Sequence, residues 1–298
     1  MRDEAEIIRE AERQSLQRLI AQIGREAGAE AVAAAFYDYE TDTSWSYHGD
    51  RWFHAASTVK VAVLAAVFRA VEEGCFQLSS RVHVRNRFLS IVDGEPYRVP
   101  TSRDANSKVH ASLGRTMNVQ ELAFHMIVTS SNLATNLLLN LVGLDRAEKF
   151  IRELKLEGIR LLRGVEDDKA FEAGINNMVT ASGLLSLFRA IQDERGFTHN
   201  SSHQMLSILN QQEFNGGIPA GLPSNLRSVA RIAHKTGEIS TVAHDAGVVS
   251  IPKRKPYALA ILTQWPENGS SSRLETIARI SKAIFSDLIE TDTEAGTL

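Results

Sequence analysis

The stretch FHAASTVKVAVLAAVF, Phe53–Phe68, decides how the chain is read. From Ala55 to Phe68 it is small or apolar almost throughout, the composition of a buried helix, yet it carries Lys60. Burying an ammonium without a partner costs several kcal/mol or drives its pKa down. Ser57 stands three residues earlier, so on a helix the two side chains share a face. Ser57 also falls in the first turn, where unpaired backbone N–H groups and the positive helix end favour developing negative charge. A serine hydroxyl becomes a good nucleophile only when a base takes its proton, and a desolvated lysine can be that base. The plainer alternative is a surface serine with a snorkelling lysine. Average composition gives about one S-x-x-K per chain of this size, so the pair needs support from elsewhere.

Around this helix the chain reads as an ordinary globular protein. It has 298 residues, 43% hydrophobic and 23% charged, with a net charge of −3, so neither nucleic acid nor an anionic membrane is implied as a partner. A single cysteine, Cys75, excludes an internal disulfide framework and a CxxC metal site. The first 24 residues are charged and helical in pattern, with a stripe of Ile7, Ile8, Leu16, Leu19, Ile20 and Ile23 that suits packing on a sheet. No apolar leader core is present, so the expected location is cytoplasmic, or periplasmic or secreted if a leader has been removed. No apolar run is long enough for a transmembrane helix.

Residues 29–49 predict two strands around a polar turn at Asp38–Thr43. The segments 79–117, 163–178 and 216–225 read as loops. Helical patterns cover VQELAFHMIVTS, NLATNLLLNLVG and DRAEKFIRELKL, the last with Asp145 as N-cap. Thr180 caps a further helix, and another covers about 201–212. SVARIAHKT, HDAGVVSIP and YALAILTQW are strand-like, a final helix runs from about 271 to 290, and TDTEAGTL is a frayed tail. Helix, strands, many helices, strands and helix, in that order, predict an α+β fold. An antiparallel sheet from 1–54 and 213–298 would be flanked by terminal helices, in three α/β/α layers, with 55–212 forming a helical lobe and the site at the junction.

Two further motifs lie where such a junction would be. Ser130-Ser131-Asn132 falls where one helical segment stops and the next begins, so a hydroxyl and a carboxamide can both enter a cleft. Its alternative is a plain N-cap. Lys235-Thr236-Gly237 lies in a strand-like segment, where a glycine lets another group approach the backbone closely. A K-T-G triplet arises by chance in about one chain in 15 of this length.

S-x-x-K at a helix start, S-x-N at a helix junction and K-T-G on a late strand form the signature set of penicillin-recognising serine enzymes. From about residue 30 to 290 the sequence resembles the class A β-lactamase group, through FHAASTVKV, TSSNLATNLLL and HDAGVVSIP…YALAILT. The resemblance implies that fold and a hydrolase acting on a small-molecule β-lactam or peptide-like acyl compound, with no cofactor or metal. It makes Ser57 the acylated nucleophile, Lys60 its base or proton relay, and Ser130 the proton donor to the leaving nitrogen. Lys235 and Thr236 would bind the substrate carboxylate and Asn132 the substrate amide. The N–H groups of Ser57 and Glu238, beside Gly237, would form the oxyanion hole. Glu166, in a loop preceded by Arg163, would activate the deacylating water.

The sequence departs from the family pattern at several positions. EDDKA lacks the Leu-Asn that closes the family's E-x-x-L-N, leaving Asn176 and Asn177 to hold the water. Ser131 replaces an aspartate, and Glu238 replaces a small residue and would repel an anionic substrate or select a cationic or neutral one. AHDAGVV lacks the arginine that often supplies a second carboxylate anchor. A peptidase, amidase or esterase on the same scaffold, or a non-hydrolytic penicillin-binding sensor, are the alternatives. His199 and His203 read as surface residues, and neither His234 nor His244 has an evident aspartate partner in the sequence.

Overall fold

The structure is a computed structural model describing residues 4–267 and 272–294. Its main sheet comprises β1 (Ala31–Asp38), β2 (Thr43–Tyr47), β3 (Arg231–Ile239), β4 (Val242–Ser250) and β5 (Tyr257–Gln264), in the spatial order β3-β4-β5-β1-β2 with every pair antiparallel. The longer helices are α1 (Glu4–Ala27), α2 (Lys60–Glu72), α3 (Val119–Val128), α4 (Asn132–Val142), α5 (Leu144–Glu153), α6 (Ala181–Gln192), α7 (His199–Leu209) and α8 (Arg273–Glu294).

Alternation along the strands builds two cores. On β1, Ala31, Ala33 and Ala35 face the helical lobe, and Val32, Ala34 and Phe36 face the terminal helices. On β5, Ala258, Ala260 and Leu262 take the first face, and Tyr257, Leu259 and Ile261 the second. Small residues on the lobe side let α6 lie close, with Leu184, Leu187, Phe188 and Ile191 fully buried. Each such side chain contributes roughly 1.5–3 kcal/mol of burial. Behind the sheet, Leu16, Ile20 and Ile23 of α1 pack with Ile277, Ile280 and Ile284 of α8. Leu19 of the predicted stripe is exposed instead, and the side chains of Ile7 and Ile8 lie outside the described residues. The result is the predicted antiparallel sheet with terminal helices on one face and a helical lobe on the other.

Several local expectations are corrected. The stretch 79–117 contains paired segments, 81–83 with 116–118 and 88–89 with 96–97, too short to show a period in sequence. A one-turn helix, Asp168–Glu172, interrupts the 163–178 loop, and 216–225 holds two four-residue helices. Asp145 is not an N-cap: Gly143, at φ 86°, ends α4 and starts α5 in one step, which leaves Asp145 inside the first turn. The strand expected at 228–236 is displaced to Arg231–Ile239 and so includes Gly237 and Glu238. Of the expected tail, residues 291–294 continue α8 and the last four residues lie outside the described residues. Thr180 caps α6 through the Gly183 N–H as expected. No helix among the described residues is long and apolar enough to cross a membrane.

Candidate active site

The site forms where the start of α2, the α3–α4 junction, strand β3 and the 163–178 loop converge. Ser57 sits in a 3-10 turn, Ala56–Val59, that leads directly into α2. Ala56 before it has φ 45°, Ser130 φ 59° and Glu166 φ 60°. Non-glycine residues seldom enter this left-handed region, and clusters of them mark sites held by their surroundings. His54 helps here: its Nδ1 accepts the Ala56 N–H at 3.1 Å. Burial, with the Arg163 charge as a second cause, pushes its imidazole down to about 4, so the ring stays neutral.

Lys60 is fully buried, as its apolar helix requires. Its Nζ donates to the Ser130 carbonyl at 2.7 Å, to Ser130 Oγ at 3.1 Å and to Asn132 Oδ1 at 2.7 Å. The expectation of a shared Ser57–Lys60 face needs refining. Among the described residues the only hydrogen bond between them is Lys60 N–H to Ser57 O, and the ammonium turns toward the junction. Burial lowers Lys60 to about 7, against the opposing pull of Asp104 and Glu166.

Lys235 is also fully buried and donates to the Thr236 carbonyl at 2.8 Å. Burial, and then the neighbouring Lys60 charge, push it well below the usual lysine value. Gly237 has a reason visible only in three dimensions. A Cβ there would lie 2.9 Å from the backbone nitrogens of both Ser57 and Thr58. The close approach expected at this glycine is therefore made by the nucleophile's own turn.

The aspartate missing at Ser131 is supplied from elsewhere. Ser131 caps α4 through the Ala134 N–H and donates to Asp104 Oδ2 at 3.2 Å. The same carboxylate accepts from Leu133 N–H at 2.9 Å and from His110 Nε2 at 3.1 Å. Asp104 is thus a buried carboxylate bracing the junction, with only a local turn signal, D-x-N, to reveal it in sequence.

Glu166 lines the pocket of about 480 Å³ that opens onto Ser57, together with Asn132, Arg103, Phe171 and Glu238. Its Oε1 accepts from Asn132 Nδ2 at 2.9 Å and its Oε2 from Arg103 Nη1 at 3.2 Å, which also reaches Asp168 at 2.8 Å. Asn132 therefore connects Lys60 to Glu166, and its second Nδ2 bond goes to the Arg103 carbonyl at 2.7 Å. Asn136 clamps the loop through both the N–H and the C=O of Val165, at 2.8 Å each.

Asn176 and Asn177 are engaged at the base of the loop. Asn177 Oδ1 accepts from the Leu162 and Arg163 N–H groups and its Nδ2 donates to the Arg163 carbonyl, while Asn176 Oδ1 accepts from Arg163 Nη2 at 2.9 Å. Arg163 also binds the Ile175 and Gly164 carbonyls, closing the base of the loop.

Glu238 is half-exposed and its charge is met. Arg273, at the start of α8, lies 3.1 Å from it and donates to the Ile239 and Ser240 carbonyls at 2.8 Å each. Arg273 comes from the terminal helix, whereas β4 carries no arginine. His234, on the other hand, does have an aspartate: its Nδ1 lies 2.8 Å from Asp245 Oδ1, both fully buried behind β3. The two lie on adjacent strands, where Thr236 pairs with Asp245. His199 and His203 are exposed and stacked 6.4 Å apart.

Comparison with known proteins agrees with this arrangement. The description "Beta-lactamase enzyme family" matches residues 13–288. A β-lactamase of Bacteroides uniformis is 24% identical over 251 residues, 80% of either chain. The solved structure of PBP-A is 27% identical with a TM-score of 0.77, over 93% of this chain and 96% of its own. A variant of the last common ancestor of Gram-negative class A β-lactamases reaches a TM-score of 0.79 at 23% identity, over 93% and 99%, a likeness of fold. Since the family match extends from α1 into α8 and takes in every motif of the site, the chain belongs to the β-lactamase enzyme family.

Proposed function

We propose that the protein is a class A-type serine hydrolase that opens β-lactam amides through an acyl-enzyme on Ser57. The observation that carries this reading is Lys60, buried, lowered to about 7 and held between Ser130 and Asn132. A neutral amine keeps two N–H donors for the carbonyl acceptors at 2.7 Å, which leaves its lone pair for a hydroxyl. It takes the Ser57 proton as Oγ attacks the carbonyl carbon. As the C–N bond breaks, Ser130 passes a proton to the nitrogen and is resupplied by Lys60. The N–H groups of Ser57 and Glu238 meet the developing oxyanion, the first as an orphan donor of its turn. Lys235 and Thr236 hold the substrate carboxylate.

Both Asn132 Nδ2 hydrogens are engaged, one of them by Glu166. A substrate amide that takes this hydrogen releases Oε1 of Glu166, which is then free to draw a proton from the water that attacks the ester. Acylation therefore prepares deacylation. The half-exposed Glu238 and the occupied Asn176 and Asn177 favour a second reading, slow deacylation as in a penicillin-binding protein or sensor. The 27% likeness to PBP-A supports the same alternative. A solved complex of a PBP-A mutant is an acyl-enzyme with penicillin G, with a TM-score of 0.76.

Intact-protein mass spectrometry after mixing with a penicillin and a cephalosporin, sampled from seconds to hours, tests this. An adduct on Ser57 that decays as drug is hydrolysed is expected. A persistent adduct favours the second reading, and neither adduct nor hydrolysis overturns both.

A further inference from the structure

A second cleft, of about 650 Å³, lies on the other side of the wall formed by Asn136 and the loop base at Gly164. One bank is the extended segment 85–89. Arg85, Arg87 and Leu89 are exposed and line the cleft together with the buried Phe88, while the Asn86 side chain is turned away from it. The Asn86 side chain fixes this bank by bonding both the N–H and the C=O of Val99 at 2.8 Å. The opposite bank is α4, through Leu139 and Asn140, with Leu144 at the start of α5.

The lining contains no acidic residue. Among the described residues, neither Arg85 nor Arg87 has an ion pair or side-chain hydrogen bond. Leu89 is 63% exposed and Ile91 43%, unusual for large apolar side chains grouped in a concavity. Two free guanidiniums, two residues apart, can fork one carboxylate or phosphate while the leucines and Ile91 cover an apolar body. The volume is that of a small-molecule site.

We propose that this cleft binds a small amphiphilic anion, a carboxylate or phosphate on an apolar body, and that its occupancy steadies the loop bearing Glu166. The coupling runs through Asn136, which lines the cleft and holds Val165 by both backbone groups, one residue before Glu166. Gly164 lies against the same place: a Cβ there would be 2.5 Å from Tyr97 Oη and 3.0 Å from Asn136 Oδ1. The proposal is independent of the chemistry assigned to Ser57.

Calorimetric titration of the full chain with decanoate, decanol and inorganic phosphate tests the recognition. Decanoate is expected to bind saturably at one site, at least tenfold tighter than either control. The Arg85→Gln/Arg87→Gln protein, altered only at exposed positions, should bind decanoate no better than decanol. Equal affinity for decanoate and decanol, or unchanged decanoate affinity in the double variant, overturns the site. Hydrogen exchange reads the coupling: amides from 165 to 170 should exchange several-fold more slowly with decanoate bound. Unchanged exchange there overturns the regulatory half.

Discussion

On one side of the Ser57 pocket, Lys60, Ser131, Asp104 and Lys235 are buried and held by helix starts, a helix junction and the edge strand β3. On the other, Glu166 rides a loop clamped at Val165 by Asn136, and its own carboxylate is held by Asn132 and by the half-exposed Arg103, which it shares with Asp168. Groups assigned to forming the acyl-enzyme thus sit in the rigid half, and the group assigned to breaking it sits in the adjustable half. Buried polar networks tolerate little change, because a lost partner leaves a desolvated group unpaired. Exposed ion pairs contribute little and can be exchanged. On the proposed mechanism, acylation would stay constant while the lifetime of the acyl-enzyme is tuned at the loop.

The largest expected effect breaks the rigid half outright. Ser57→Ala should reduce turnover by about 10⁴-fold or more without lowering thermal stability. Residual adduct formation by mass spectrometry would refute the assignment. Lys60→Ala should slow acylation by about 10²–10⁴-fold. In the unaltered protein the acylation rate should fall below pH 7, tenfold per unit, because the base must be neutral and Lys60 is lowered to about 7. An acylation rate flat from pH 5 to 8 would assign the proton to another group.

Glu166→Gln sharpens the comparison. It keeps an acceptor for Asn132, so acylation should hold within a few-fold while deacylation slows by about 10²-fold and adduct accumulates. Equal loss in both steps would show that the halves are not separable. The smallest effect is at the rim. Glu238→Ala should raise kcat/KM for an anionic penicillin by about two- to fivefold, and Arg273→Ala should lower it by a similar factor by uncovering Glu238. No change in either, measured by steady-state kinetics, would mean that the pair does not face substrate.

How much of this was legible depends on the range of each signal. The two β1–β2 strands, the buried α2 and the Thr180 cap follow from patterns within about ten residues, and each stands where its pattern places it. Asp145 misled because a single glycine serves two helices, which composition alone does not reveal. Sequence likewise does not show that Arg163 engages both Asn176 and Asn177.

Asp104, Arg103 and Arg273 had no motif to announce them. They reach the site from remote loops and a terminal helix, and a charged residue on a surface segment reads as solvated until the fold places a partner beside it. The sequence by itself determined the sheet, the burial of Lys60 and the order of the three motifs, because hydrophobic periodicity and an ammonium inside an apolar helix are local facts. Only the tertiary structure decided where the Lys60 ammonium points, which carboxylate braces Ser131 and what neutralises Glu238. Each of these depends on two groups far apart in the chain meeting within hydrogen-bond distance, and nothing local encodes that.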